Sequence, residues 1–109
     1  MKHIAKTYPT VRMGLIDSTG DSVITQFFGF GDSNCTAYAA LTAQTFTAGL
    51  QDIRTQLAST SNFSTFVFQG TDHTTIETAA NFDSRTSANV KLTSWVTQLL
   101  GGTVTNVGP

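Results

Sequence analysis

Three side chains in this chain have the type and spacing to work on a proton. Asp17 and Asp21 follow a short apolar run, Val11 to Ile16, and His73 follows a second one, Phe63 to Gln69. A carboxylate beside an imidazole fixes the ring's tautomer, and it stabilises the imidazolium that forms when the ring takes a proton from a nucleophile. The same residue types also have plainer uses. An aspartate at the start of a helix is a common cap, and a histidine in a loop is often simply solvated. Spacing alone does not separate Asp17 from Asp21 for the acid role, and Asp72 reads as a turn residue. Cys35, the single cysteine, cannot form a disulfide within the chain and is expected to be a buried thiol, the alternative being half of a bridge whose partner lies elsewhere.

The elements that would position these groups follow from the apolar pattern. VRMGLI, residues 11–16, comes after Tyr8-Pro9 and reads as a buried strand. DSTG is a turn, and Asp21 then opens a short helix in which Val23, Ile24, Phe27 and Phe28 share a face. Gly29 and Gly31 are expected to end it. Ser33, Asn34 or Thr36 would cap a longer helix reaching about Ser59, with Leu41, Phe46, Leu50, Ile53 and Leu57 as its inner stripe and Gln51, Asp52, Arg54 and Gln56 outside. FSTFVFQ, residues 63–69, is rich in aromatic and β-branched residues and reads as a second strand ended by Gly70. A turn, GTDHTT, follows. Residues 88–100 form a last helix, with Ser87 as cap, Gly101-Gly102 as stop and Trp95 on the core side.

Two strands with a helical crossover between them have the connection that a parallel sheet requires, and a parallel pair is expected. In such sheets functional groups collect just past the C-terminal ends of the strands, which is where Asp21 and His73 fall. Strands this apolar need cover on both faces and further strands beside them, and residues 1–109 hold too few elements to provide both. The expectation is therefore an α/β fold with an incomplete sheet, the C-terminal portion of one larger domain.

Composition narrows the partners. Six basic and seven acidic residues leave a formal net charge of −1, and the basic ones are scattered, so no nucleic-acid surface is expected. No apolar run approaches the roughly 20 residues that span a bilayer, and the first 20 residues have no signal-peptide core. Ser and Thr make the surface polar while Glu occurs once, at Glu77, a habit that suits secreted proteins.

The residues also carry a resemblance. YPTVRMGLIDSTGDSVITQFF, FSTFVFQGTDHTTI and VKLTSWVTQLLGG, in that order, resemble the C-terminal third of bacterial pectin-acetylesterase-type hydrolases, relatives of the Notum carboxylesterases. The family's D-S-V-x-x-x-F segment, which supplies the triad aspartate, falls on Asp21. Its P-G-x-x-H-x-x loop falls on QGTDHTT and puts the histidine at His73, with Gln69 in place of the proline. Its closing tryptophan helix falls on Leu92 to Leu100, with Trp95 in register. The resemblance implies an α/β-hydrolase fold, a Ser-Asp-His mechanism and an ester substrate, with acetyl groups of a glycan as one candidate. It also implies a secreted location and no cofactor. Residues 1–109 lack the G-x-S-x-G elbow and the oxyanion-hole loop, so the upstream part of the domain becomes the implied partner and the chain by itself is expected to be inactive.

Two other readings compete. FGFGDSN, residues 28–34, is similar to the block in which SGNH (GDSL) esterases carry their serine, which would make Ser33 the nucleophile and His73 its base. Against it, the block follows a helix rather than a first strand, and the family's D-x-x-H is absent because Asp72 and His73 are adjacent. Alternatively the chain is a non-catalytic unit that folds against a partner. No metal is expected, since His3 and His73 are far apart and neither has a Cys or Glu at ligand spacing.

Overall fold

A computed structural model describes residues 1–109 as a mixed α/β domain. In order along the chain it has α1 (Lys2–Thr7), β1 (Met13–Ser18), α2 (Ile24–Asp32), α3 (Ala43–Leu57), β2 (Phe63–Phe68) and α4 (Ala79–Ser84). A two-residue pair, β3 (Thr86–Ser87) and β4 (Val90–Lys91), and then α5 (Leu92–Gly101) complete it. No helix is long and apolar enough to cross a membrane.

β1 and β2 pair in parallel, from Met13 opposite Phe63 to Ser18 opposite Phe68. The pleat sends alternate residues to opposite faces. Phe66 and Phe68 join Leu92, Trp95, Leu99 and Val107 on one face, where Ile16 also packs. On the other, Val67 meets Phe46 and Leu50 of α3, and Phe63 meets Leu57 and Ala5. Every residue of β2 is buried, whereas β1 is only partly covered.

The edges explain that difference. Met13 N–H donates to Asn62 and Thr19 N–H to Phe68, so odd-numbered residues of β1 bond β2 and the backbones of Gly14, Ile16 and Ser18 point away from it. The far edge of β2 is closed by the C-terminal segment. Val67 N–H donates to Val107, Val107 N–H donates to Thr65, and the Asn106 side-chain oxygen accepts from Thr65 N–H at 2.9 Å. Arg54 locks that segment with bonds to the carbonyls of Val107 (2.7 Å) and Gly108 (2.9 Å). β1 alone has an open flank. Beside it α2, α3 and β1 line an apolar cleft of about 540 Å³ walled by Leu15, Ile24, Phe28, Phe46, Leu50 and Ile53.

Several expectations need correction. The first strand runs from Met13 to Ser18, two residues later than the apolar run, because pairing with β2 recruits Asp17 and Ser18. Gly29 and Gly31 lie inside α2 rather than ending it; a Cβ on Gly29 would sit 1.6 Å from the Ala39 carbonyl, so this glycine serves a close approach. The long helix starts at Ala43, not near residue 34, because Thr42 caps it by accepting from Thr45 N–H at 3.1 Å; Leu41 thus lies outside the helix. Arg54 does not face solvent but turns to the C-terminal segment. The last helix begins at Leu92, since Ala88 and Asn89 take positive φ and form a hairpin turn. Ser87 accordingly bonds the Val67 carbonyl at 2.5 Å instead of capping a helix. α4 interrupts what reads as loop. Cys35 is exposed, not buried, at φ 62° in the turn after α2.

Candidate active site

The strand-end loops are built by extending the parallel ladder past the strands. Thr19 N–H donates to Phe68 at 2.9 Å, Gly20 N–H to Gly70 at 3.0 Å and Ser22 N–H to Thr71 at 3.0 Å. A Cβ on Gly20 would meet the Ala43 Cβ at 3.3 Å and the Gly70 carbonyl at 3.4 Å, so the turn packs closely against the start of α3 and the facing loop. Gly70 itself sits at φ +150°, where a side chain would be strained. These bonds set the residues that follow at a fixed distance from one another.

Asp21 is 2% exposed and its carboxylate is fully committed. Oδ1 accepts from Val23 N–H (2.8 Å) and Ile24 N–H (2.7 Å), satisfying two amides at the entry to α2. Oδ2 lies 2.8 Å from His73 Nδ1. The backbone carbonyl of Asp21 also accepts from the Thr25 hydroxyl at 2.6 Å, which pins the turn. The cap and the imidazole partner are therefore one side chain.

Burial alone would push the Asp21 carboxyl up. The hydrogen bonds from Ile24, His73 and Val23, with the charge of His73, outweigh it and hold the group below its ordinary value. Asp17 is the reverse case. It shares the α3 face of β1, and desolvation lifts it to about 6 against one hydrogen bond from Ser18 N–H, with the Asp21 charge adding to the rise. Of the two acids that spacing leaves open, Asp21 is the one bonded to His73.

The imidazole is 41% exposed, so the pair opens to solvent on the histidine side. In the neutral tautomer that donates from Nδ1 to Asp21, Nε2 on the opposite edge of the ring is the acceptor. That arrangement can accept a proton from a hydroxyl and return it to a leaving group. The Ser18 hydroxyl donates to the Asp72 carbonyl at 2.8 Å, and the Asp72 carboxylate pairs with Arg85.

The remaining predicted positions lie elsewhere. Ser33 is at the C-terminal end of α2, where its hydroxyl donates toward the carbonyls of Phe30 (2.9 Å) and Ala37 (2.7 Å); no hydrogen bond joins it to His73. His3 is in α1, bonded only to Thr7. Trp95 is buried against Phe66, and its indole N–H donates to the Thr105 carbonyl. No three His, Cys, Asp or Glu side chains converge to hold a metal ion. Ser18 and Arg85 carry no signal in the sequence that would mark them as supports of the His73 loop.

No protein-family model matches this sequence, and no curated protein or solved structure matches it either.

Proposed function

We propose that this chain carries the acid and the base of a serine carboxylesterase and forms the C-terminal portion of an α/β-hydrolase sheet. The observation that carries the reading is the 2.8 Å contact between Asp21 Oδ2 and His73 Nδ1 at the C-terminal ends of two adjacent parallel strands. Carboxylate, imidazole and strand order match the acid and histidine positions of that fold, where the nucleophile comes from an earlier strand. The pectin-acetylesterase-like motifs around Asp21, His73 and Trp95 support the same class, with an ester of a secreted glycan as substrate.

In this mechanism a serine hydroxyl supplied by the upstream polypeptide gives its proton to His73 Nε2 as it attacks the ester carbonyl. Asp21 stabilises the imidazolium. His73 then protonates the leaving alkoxide, and a water repeats the cycle on the acyl-enzyme. The oxyanion donors also come from upstream, so residues 1–109 alone are expected to leave p-nitrophenyl acetate hydrolysis at the background rate of free imidazole.

The deciding test expresses the chain downstream of a polypeptide that carries a G-x-S-x-G strand-turn-helix and follows ester hydrolysis. Activity lost by a factor of about 10³ or more on His73→Ala is expected. Equal rates for the parent and the His73→Ala protein would overturn the reading.

A further inference from the structure

Asp21 is immobilised by its own helix, but His73 sits in a segment, residues 69–78, that belongs to no helix or strand. A histidine in such a segment keeps its hydrogen bond only if the segment is tied down. Backbone bonds from Gly20 and Ser22 hold Gly70 and Thr71, and beyond them the ties meet at Asp72, the residue before His73. The Ser18 hydroxyl holds its carbonyl at 2.8 Å, and the Arg85 guanidinium pairs with its carboxylate.

Arg85 is unusually well placed for this. Its backbone joins two helices: Arg85 N–H donates to the Asn81 carbonyl, closing the last turn of α4, and its own carbonyl accepts from Leu92 N–H at the start of α5. Its guanidinium lies over the ring of Phe68, with Cζ 4.2 Å from the ring centre, and Phe68 is the buried last residue of β2. Backbone and planar head are thus both referenced to rigid elements. The placement has a cost, because Arg85 Nε is buried with no acceptor. A surface arginine free to move would relieve that cost by turning to solvent, and this one stays against Phe68 and Asp72. Stacking on an aromatic face and reaching a carboxylate at once calls for the flat guanidinium, which an ammonium group cannot mimic.

We infer that Arg85 is a positioning residue for His73: by gripping Asp72 from the α4–α5 joint, it keeps Nδ1 seated on Asp21. Its catalytic meaning rests on the triad reading above, whereas the grip itself is a property of residues 1–109. Arg85 does not touch the reacting atoms.

The test follows the His73 ring proton on Nδ1 by NMR in the ¹⁵N-labelled 109-residue chain, comparing Arg85→Ala, Arg85→Lys and Asp72→Asn. Exchange of that proton should quicken about fivefold in Arg85→Ala, the upper end for a partly exposed ion pair. Asp72→Asn should give a similar change, and the double variant little more. Arg85→Lys should recover part of the protection, since it keeps the charge and loses the stack. Amide protection in β2 should stay constant throughout, which a merely structural role for Arg85 would not allow.

An unchanged Nδ1 proton in both single variants, or a fall in β2 protection that tracks it, overturns the assignment. Should Arg85→Ala fail to fold, Asp72→Asn carries the same test, because that carboxylate is half exposed. Quickened exchange in a protein that shows no ester hydrolysis when joined to a nucleophile-bearing segment would leave the grip intact and remove the esterase reading. With both intact, Arg85→Ala in the joined protein should lower kcat with KM little changed.

Discussion

At the scale of single residues, Asp21 does two jobs because a carboxylate has two oxygens and each points at a different donor set. The sequence pattern poses cap and imidazole partner as rival explanations; in the structure one carboxylate makes both sets of contacts. The two jobs can be separated by substitution. Asp21→Asn keeps an oxygen for the Val23 and Ile24 amides, so it should cost stability only through the lost charge toward His73. It no longer selects the Nδ1–H tautomer, and ester hydrolysis by the joined protein should drop by about 10⁴. Asp21→Ala should lose the same activity and, in addition, about 1–2 kcal/mol in urea unfolding through the lost cap.

Acid and neutral pH should probe the two aspartates in opposite directions. Asp21, held below its ordinary value of 3.8, contributes stability that is complete above that pH and disappears as pH falls through its native value. Asp17, lifted to about 6, is penalised when ionised; the penalty is full above pH 6 and vanishes below about pH 4. Asp17→Asn retains an oxygen for Ser18 N–H and removes the charge. It should therefore stabilise the chain at pH 8 by on the order of 1–3 kcal/mol and be neutral at pH 4, as thermal melts at the two pH values would show. Equal effects at both would mean that the carboxyl is not desolvated.

At the scale of elements, β2 and α5 are the parts most legible in the sequence, because a run such as FSTFVF and a stripe such as Leu92, Trp95 and Leu99 hardly fit any other arrangement. The first turn of α2 is also legible through Asp21. Elements go astray where a residue's local tendency is overruled by what it meets in space. Gly29 and Gly31 look alike as helix breakers, yet both lie in α2, and only Gly29 has a neighbour at its Cβ position. Gly29→Ala should therefore destabilise the chain by about 2 kcal/mol or more, whereas Gly31→Ala, with nothing within 4 Å, should stabilise it by about 0.5–1 kcal/mol. Chemical denaturation of the pair separates the two roles. Similarly, the Ala88-Asn89 turn shortens α5 because left-handed backbone at two consecutive positions serves a hairpin better than a helix.

At the scale of the whole molecule, the two-stranded sheet is asymmetric. The loop juxtaposition of Asp21 and His73 is readable from chain order, since parallel strands bring their C-terminal ends together. The return of residues 105–108 onto β2 is not, because two short backbone bonds and an asparagine side chain leave no periodic trace. Hydrogen exchange should report the asymmetry directly: Leu15 and Asp17 amides slow, Gly14 and Ile16 amides fast, and Ser18 intermediate because the Asp17 carboxylate takes its N–H at 2.8 Å. Uniform protection along β1 would mean that its outer side is covered.

That asymmetry gives the sheet a direction of growth. The Val107 side is plugged by side chain and main chain alike, so any additional strand has to enter next to Gly14 and Ile16, with Asp17 as the first carboxyl it would meet. A newcomer running alongside β1 would end at the same rim as Asp21 and His73. Its terminal loop would then lie on the Asp21 side of the pair and would have to reach past that carboxylate to meet the exposed edge of the imidazole.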